Sequence, residues 1–163
     1  LYNYLGAGYE VRLTISLSGD FEPMKSDLVG SNFVSPASLD KIAIFKNKYN
    51  NQCDIVTADG GFDFSTDFNS QEINITRLLF GQIAYAVCIQ KYGGCFVLKC
   101  FDCFYKASAE LIYLLSTMYE KVYVVKPNTS RYANSERYLV CINFLYSNSN
   151  YYAPIFEQLM ATI

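Results

Sequence analysis

The chain has 163 residues, 52% of them hydrophobic, with 13 Lys and Arg against 15 Asp and Glu and a formal net charge of −2. That length suits one domain with its own core, and that composition excludes a disordered tail. The overall charge directs the chain to no polyanion, although one local basic face on a neutral body stays compatible with nucleic acid.

In chain order, "LYNYLGAG" reads as the last turn of a helix closed by Gly6. A domain opening mid-helix suggests that earlier residues belong to it. Tyr9–Leu17, "YEVRLTISL", alternates and carries β-branched residues, so it is a predicted strand. Ser18–Ser35 reads as a long polar loop. Pro36 then opens a helix to Asn50, with Leu39, Ile42, Ile44 and Phe45 on its inner face. Cys53–Gly61 is a short strand ending in paired glycines. Asn69, three residues before Glu72, resembles a capping box for a helix running to Gln90, apolar almost all round and hence deeply buried.

The strand "GGCFVLKCFD", Gly93–Asp102, follows, then a helix over "KASAELIYLLSTMY" whose Leu111, Leu114 and Leu115 share a face. "KVYVVKP" is a strand stopped by Pro127, "ERYLVCINFL" is the last strand, and a loosely defined tail carries a short helix over Pro154–Met160. This order predicts one domain (residues 1–163, core 8–145, tail 146–163) of α/β class. Helices would lie on both faces of a largely parallel sheet, with the last two strands antiparallel because their loop is too short for a helix.

The six cysteines, Cys53, Cys88, Cys95, Cys100, Cys103 and Cys141, lie mostly in apolar runs and read as small hydrophobes, reduced in an intracellular protein. Cys100 and Cys103 form a CxxC, but no second CxxC and no histidine exists to complete a zinc site, so no metal is expected. No run approaches the ~20 apolar residues of a membrane span, and no secretory leader is visible. The 15 Tyr and 12 Phe read as core residues before they read as a stacking surface.

In open α/β sheets, ligands bind beyond the carboxyl ends of strands. Three charged residues stand where strands meet loops: Asp59 in "TADGG", Lys99 in "VLKCFD" and Glu136 in "NSERYLV". Lys99 interrupts an apolar run, and an ammonium taken out of water must be paired, snorkel outward or serve a purpose. Asp102 would face away from it on an extended strand. Each residue also has a plainer reading: Asp59 as a turn former or cap, Glu136 as a solvated pair with Arg137, and Lys99 as half of a structural ion pair.

"TADGGFDFS", "GGCFVLKCFDCF" and "KPNTSRYANSERYLVC", in that order and spacing, closely resemble the FtsJ-like ribose 2′-O-methyltransferases, the third block most like the eukaryotic and viral cap-specific branch. The likeness runs from about Gly8 to Phe144. It implies a Rossmann-like fold, S-adenosylmethionine as methyl donor and capped RNA as substrate. From the family's Lys–Asp–Lys–Glu tetrad, it implies Asp59, Lys99 and Glu136 as catalytic residues, with Lys99 the base for the ribose hydroxyl.

By the same resemblance, Asn32, Asp59 and Gly60 would contact the cofactor, with Asp27 or Asp20 as alternatives for the adenine amino group. Lys126, Ser130, Arg131 and Asn134, with Arg137, would contact RNA, and Tyr132 could stack on a base. The family's first lysine and its glycine-rich cofactor loop would precede Leu1. The 163 residues are therefore expected to lack a central strand and to have little activity alone. A non-catalytic RNA-binding or scaffold subunit, or an enzyme for ribosomal or transfer RNA, are the competing readings. The implied location is intracellular, either the nucleus or a viral or cytoplasmic replication site.

Overall fold

The architecture is that of a computed structural model, which describes residues 12–17, 20–25, 46, 47, 49, 51–60 and 71–162. Strands β1 (Arg12–Leu17), β2 (Asp20–Lys25), β3 (Cys53–Ala58), β4 (Gln90–Cys100), β5 (Tyr119–Val125) and β6 (Arg137–Phe144) form a 6-stranded sheet in the order β2-β1-β3-β4-β6-β5. The helices are α1 (Gln71–Ile89), α2 (Lys106–Met118) and α3 (Ala153–Thr162).

The sheet is mixed rather than largely parallel. β3 and β4 run parallel, with α1 as their crossover, and the other described pairings are antiparallel. The difference begins at β2, which falls in the segment expected as a polar loop. "DFEPMK" has a proline and three charges, so it reads as non-strand. Yet Pro23 can sit on β2 because β2 is an edge, where an N–H is not needed on the outer side. The Ser18-Gly19 dipeptide between β1 and β2 is a two-residue hairpin signal that outweighs that composition. β1 then lies antiparallel beside β3. The capping-box residue Asn69 and most of the helix expected over Pro36–Asn50 lie outside the described residues; Lys46, Asn47 and Tyr49 are helical.

Register explains the core. Val56 pairs with Phe96 and Ala58 with Leu98, and Phe96 and Leu98 pair with Cys141 and Leu139. Directly opposed residues share a face, so these six form one apolar surface, and all are buried. Helix α1 packs on it and also meets α2 and α3. From Leu78 to Ile89 every residue of α1 is buried, as its all-round apolar sequence requires.

The tail is part of this core, contrary to its expected looseness. Tyr152, Ala153 and Phe156 are buried, and the Phe156 ring lies 5.8 Å from that of Phe80. Asn51, at φ 57, an angle asparagine tolerates well, ties the tail down. Its side-chain amide donates to Gln90 O at 3.0 Å and Tyr152 Oη at 3.1 Å, and its Oδ1 accepts from Ser149 N at 2.9 Å. The Tyr152 hydroxyl donates to Val87 O at 2.7 Å. A polar cluster is thereby satisfied in a dry setting, where an unpaired group would be costly.

Candidate active site at the carboxyl ends of β3 and β4

The same register that builds the core selects the opposite face for the charged residues. Ala58 opposes Leu98 on the core face. One residue further, period-two alternation turns Asp59 and Lys99 to the other face, side by side. They form an ion pair there, Lys99 Nζ to Asp59 Oδ1, with Lys99 only 5% exposed. The cation inside an apolar strand is therefore matched by Asp59. Its Oδ1 is buried against the Lys99 ammonium. The side chain as a whole is still 28% exposed, so the carboxylate can take a further donor.

Lys99 opposes Tyr138 across the β4–β6 ladder. Glu136, two residues before Tyr138, extends the same face, and Glu136 Oε1 accepts from Tyr138 Oη at 3.0 Å and from Ser130 Oγ at 3.4 Å. Burial, then this hydrogen bond and the charges of Glu136 and Asp59, hold the Tyr138 hydroxyl well above its ordinary ionisation range. Tyr138 thus links the strand position opposite Lys99 to the Glu136 carboxylate. Asp59, Lys99 and Glu136 come from three strand ends to one face at one end of the sheet. Sequence reasoning omitted Tyr138; its signal was the two-residue spacing from Glu136.

The turn carrying Asp59 is held from below. The Gly60 N–H donates to Gln82 Oε1 at 2.9 Å, and Gln82 Nε2 donates to Leu78 O at 3.3 Å. Gln82 is fully buried on α1. A Cβ on Gly60 would come within 2.9 Å of Gln82 Oε1. Here glycine is favoured by close approach, not by backbone angle, since any added Cβ would push the Gln82 amide aside. Gln82 was also missed, since one amide in an apolar helix gives no warning of its partner.

The loop 126–136 is built around Lys126. Its ammonium donates to Asn134 O and to Glu136 O, both at 2.9 Å, and also meets Asn134 Oδ1. Turns at Pro127–Ser130 and Arg131–Asn134 fold the loop back on itself. Lys126, Ser130, Asn134 and Glu136 therefore form one cluster, while Arg131 and Tyr132 stand exposed. Arg137 is not a free pair for the Glu136 carboxylate: it donates to Glu136 O at 3.1 Å and forms an ion pair with Asp102 at 3.1 Å. Asp102, as expected, does not serve Lys99.

Other expected residues are not brought here. Asp20 begins β2 opposite Leu17, toward the end of the sheet where β3 starts, away from Asp59. Asn32 and Asp27 lie outside the described residues. All six cysteines are thiols outside any disulfide. A hydrogen bond with Cys103, followed by burial, pushes the Cys100 thiol far up, the reverse of a redox-active CxxC. Among the described residues no helix is long and apolar enough to cross a membrane.

A mixed α/β sheet with an acid–lysine centre at its strand ends is the framework of a group-transfer enzyme. The chain belongs to the FtsJ-like methyltransferase family, which residues 13–144 match. It is 51% identical over 92 residues to cap-specific mRNA (nucleoside-2'-O-)-methyltransferase 1 of Trypanosoma brucei brucei, covering 56% of this chain and 25% of that protein. Over 119 residues it is 36% identical to cap-specific mRNA (nucleoside-2'-O-)-methyltransferase 2 of Drosophila melanogaster, covering 72% and 17%. Over 151 residues it is 34% identical to the methyltransferase 1 of Caenorhabditis elegans, covering 86% and 16%. The chain thus spans a quarter or less of these relatives. Among solved structures, a ribosomal RNA methyltransferase of Plasmodium falciparum shares the fold at a TM-score of 0.50 and 22% identity, covering 63% of this chain and 53% of that one.

Proposed function

We propose that this chain forms part of the catalytic domain of an S-adenosylmethionine-dependent enzyme that methylates a ribose 2′-hydroxyl near the 5′ cap of mRNA. The observation that carries the reading is the buried Lys99–Asp59 pair at the ends of β3 and β4, with Glu136 on the same face. The names of the relatives support the substrate. An intracellular location goes with that substrate.

A sugar hydroxyl is a weak nucleophile and must lose its proton as it attacks carbon. Lys99 Nζ is the acceptor for that proton as the ribose oxygen bonds to the methyl carbon. Asp59 and Glu136 hold the amine and the sugar in place, because in-line displacement rewards alignment. When bound, S-adenosylmethionine supplies an electrophilic methyl group on a sulfonium sulfur, which departs with the bonding electrons. The partly open Asp59 carboxylate and the Gly60 turn fit its ammonium-bearing end. Asn32 is proposed for the same cofactor. The acid–lysine chemistry calls on no metal.

In the loop 126–136, Arg131 and Tyr132 contact RNA directly, while Lys126, Ser130 and Asn134 shape the loop and offer polar groups to phosphate and sugar. The 163 residues together make one domain.

The test is methylation of capped RNA by the full-length parent carrying Lys99→Ala. Loss of about 10²–10⁴-fold in kcat is expected for a proton acceptor, with RNA binding retained. A near-wild-type rate overturns the assignment of Lys99. Equal activity on uncapped RNA overturns the cap-specific substrate and leaves a ribose methyltransferase of other RNA.

A further inference from the structure

We infer that Phe104 is a base-stacking residue that seats a nucleobase of the RNA next to the reacting ribose. This rests on the proposed function and goes beyond its named contacts. Phe104 is 87% exposed, whereas Phe80, Phe96, Phe144 and Phe156 are buried and Phe101 is half-buried. Unlike the exposed tyrosines, it has no polar group to justify water contact.

No local structural role accounts for it. Phe104 precedes Tyr105, the N-cap of α2, where a hydrophobic residue usually packs back on the fourth helical residue. That residue is Ala109, which is itself exposed, so no such staple forms. Tyr105 makes no side-chain cap either. The entry to α2 thus presents two aromatics where Ser, Thr, Asp or Asn would serve the helix better.

Its position is fixed relative to the site. Cys100 opposes Arg137, the residue after Glu136, and the Asp102–Arg137 ion pair at 3.1 Å staples the loop leaving β4 to the loop entering β6. Phe104 is two residues past Asp102, so its Cα lies within about 7 Å of that staple. It therefore stands at the same sheet end as Lys99 and Glu136. The loop across the staple carries exposed Arg131 and Tyr132. An exposed π face beside a cation is how single-stranded nucleic acid is held without reading its sequence.

The experiment uses the full-length parent, S-adenosylmethionine and a set of capped RNAs, each with one abasic nucleotide moved along the first positions. With intact RNA, Phe104→Ala should raise KM by about 5- to 150-fold, the range of one lost base stack, and Phe104→Trp should restore it. Phe104→Leu should not. At one abasic position, wild type and Phe104→Ala should become equal, because the partner base is gone. If the Phe104→Ala effect is absent, or has the same size on every abasic RNA, stacking is overturned while the methylation reading stands. If the wild-type parent methylates no RNA ribose, both are overturned.

Discussion

Lys99 on β4 and Tyr138 on β6 stand directly opposite each other, and the Tyr138 hydroxyl reaches on to Glu136 Oε1 at 3.0 Å. This link is how Glu136, which precedes its strand, is held to the face that carries Lys99. A hydroxyl bonded to a carboxylate contributes about 1.5–3 kcal/mol. Tyr138→Phe in the full-length parent should therefore lower kcat by about tenfold or more, with the KM for RNA little changed. Steady-state kinetics check this, and an unchanged kcat would show that Glu136 is placed without Tyr138.

Gly60 and Gln82 should behave as one unit. Gln82→Ala strands the Gly60 N–H and should destabilise the fold by about 1–3 kcal/mol. Gly60→Ala drives a Cβ to 2.9 Å from Gln82 Oε1, an overpacking that costs about 1–3 kcal/mol. In the double variant the clash partner is absent, so the two effects should fall short of additivity by about 1 kcal/mol. Urea denaturation of the four proteins measures the coupling. Additivity within about 0.5 kcal/mol would mean that the two residues do not share strain.

Alkali should unfold the protein through its buried tyrosines. Burial is the first cause that raises the hydroxyls of Tyr119, Tyr138 and Tyr152 above the ordinary value near 10. In the unfolded chain they ionise near pH 10, while in the fold they keep their protons to higher pH. The native state then binds more protons, so stability is fully present below about pH 10 and falls as pH rises beyond it. A fully buried group contributes up to about 1.4 kcal/mol per pH unit in that window. Urea midpoints should be level to about pH 10 and then decline, less steeply for Tyr119→Phe. A midpoint that rises with alkali would contradict the burial of these hydroxyls.

What could be read from the residues was whatever depends on local pattern. β3, α1, β4, α2 and β6 follow from hydrophobic runs and breakers, and Lys99 declared itself as one cation among apolar neighbours. That Asp102 would not serve it followed from strand periodicity, whereas its pairing with Asp59 depends on the β3–β4 register. β2 was hidden because an edge strand tolerates proline and charge. Gln82 and Tyr138 were hidden because each matters only through a partner far away in sequence. The reading of Lys126 as a nucleic-acid contact did not foresee that its ammonium also ties the backbone of its own loop. The segment after Phe144 was undervalued, since the docking of Tyr152 and Phe156 depends on α1 and Asn51.

Asn51 is bonded to Ser149 and Tyr152 across sequence separations of 98 and 101 residues. During synthesis, that latch can close only after Tyr152 has left the ribosome. Until then Asn51 lacks its Ser149 and Tyr152 partners and Val87 lacks the Tyr152 hydroxyl. The nascent half-sheet must wait, wet at one end, for the last helix to arrive, and such long-range closures are slow to form.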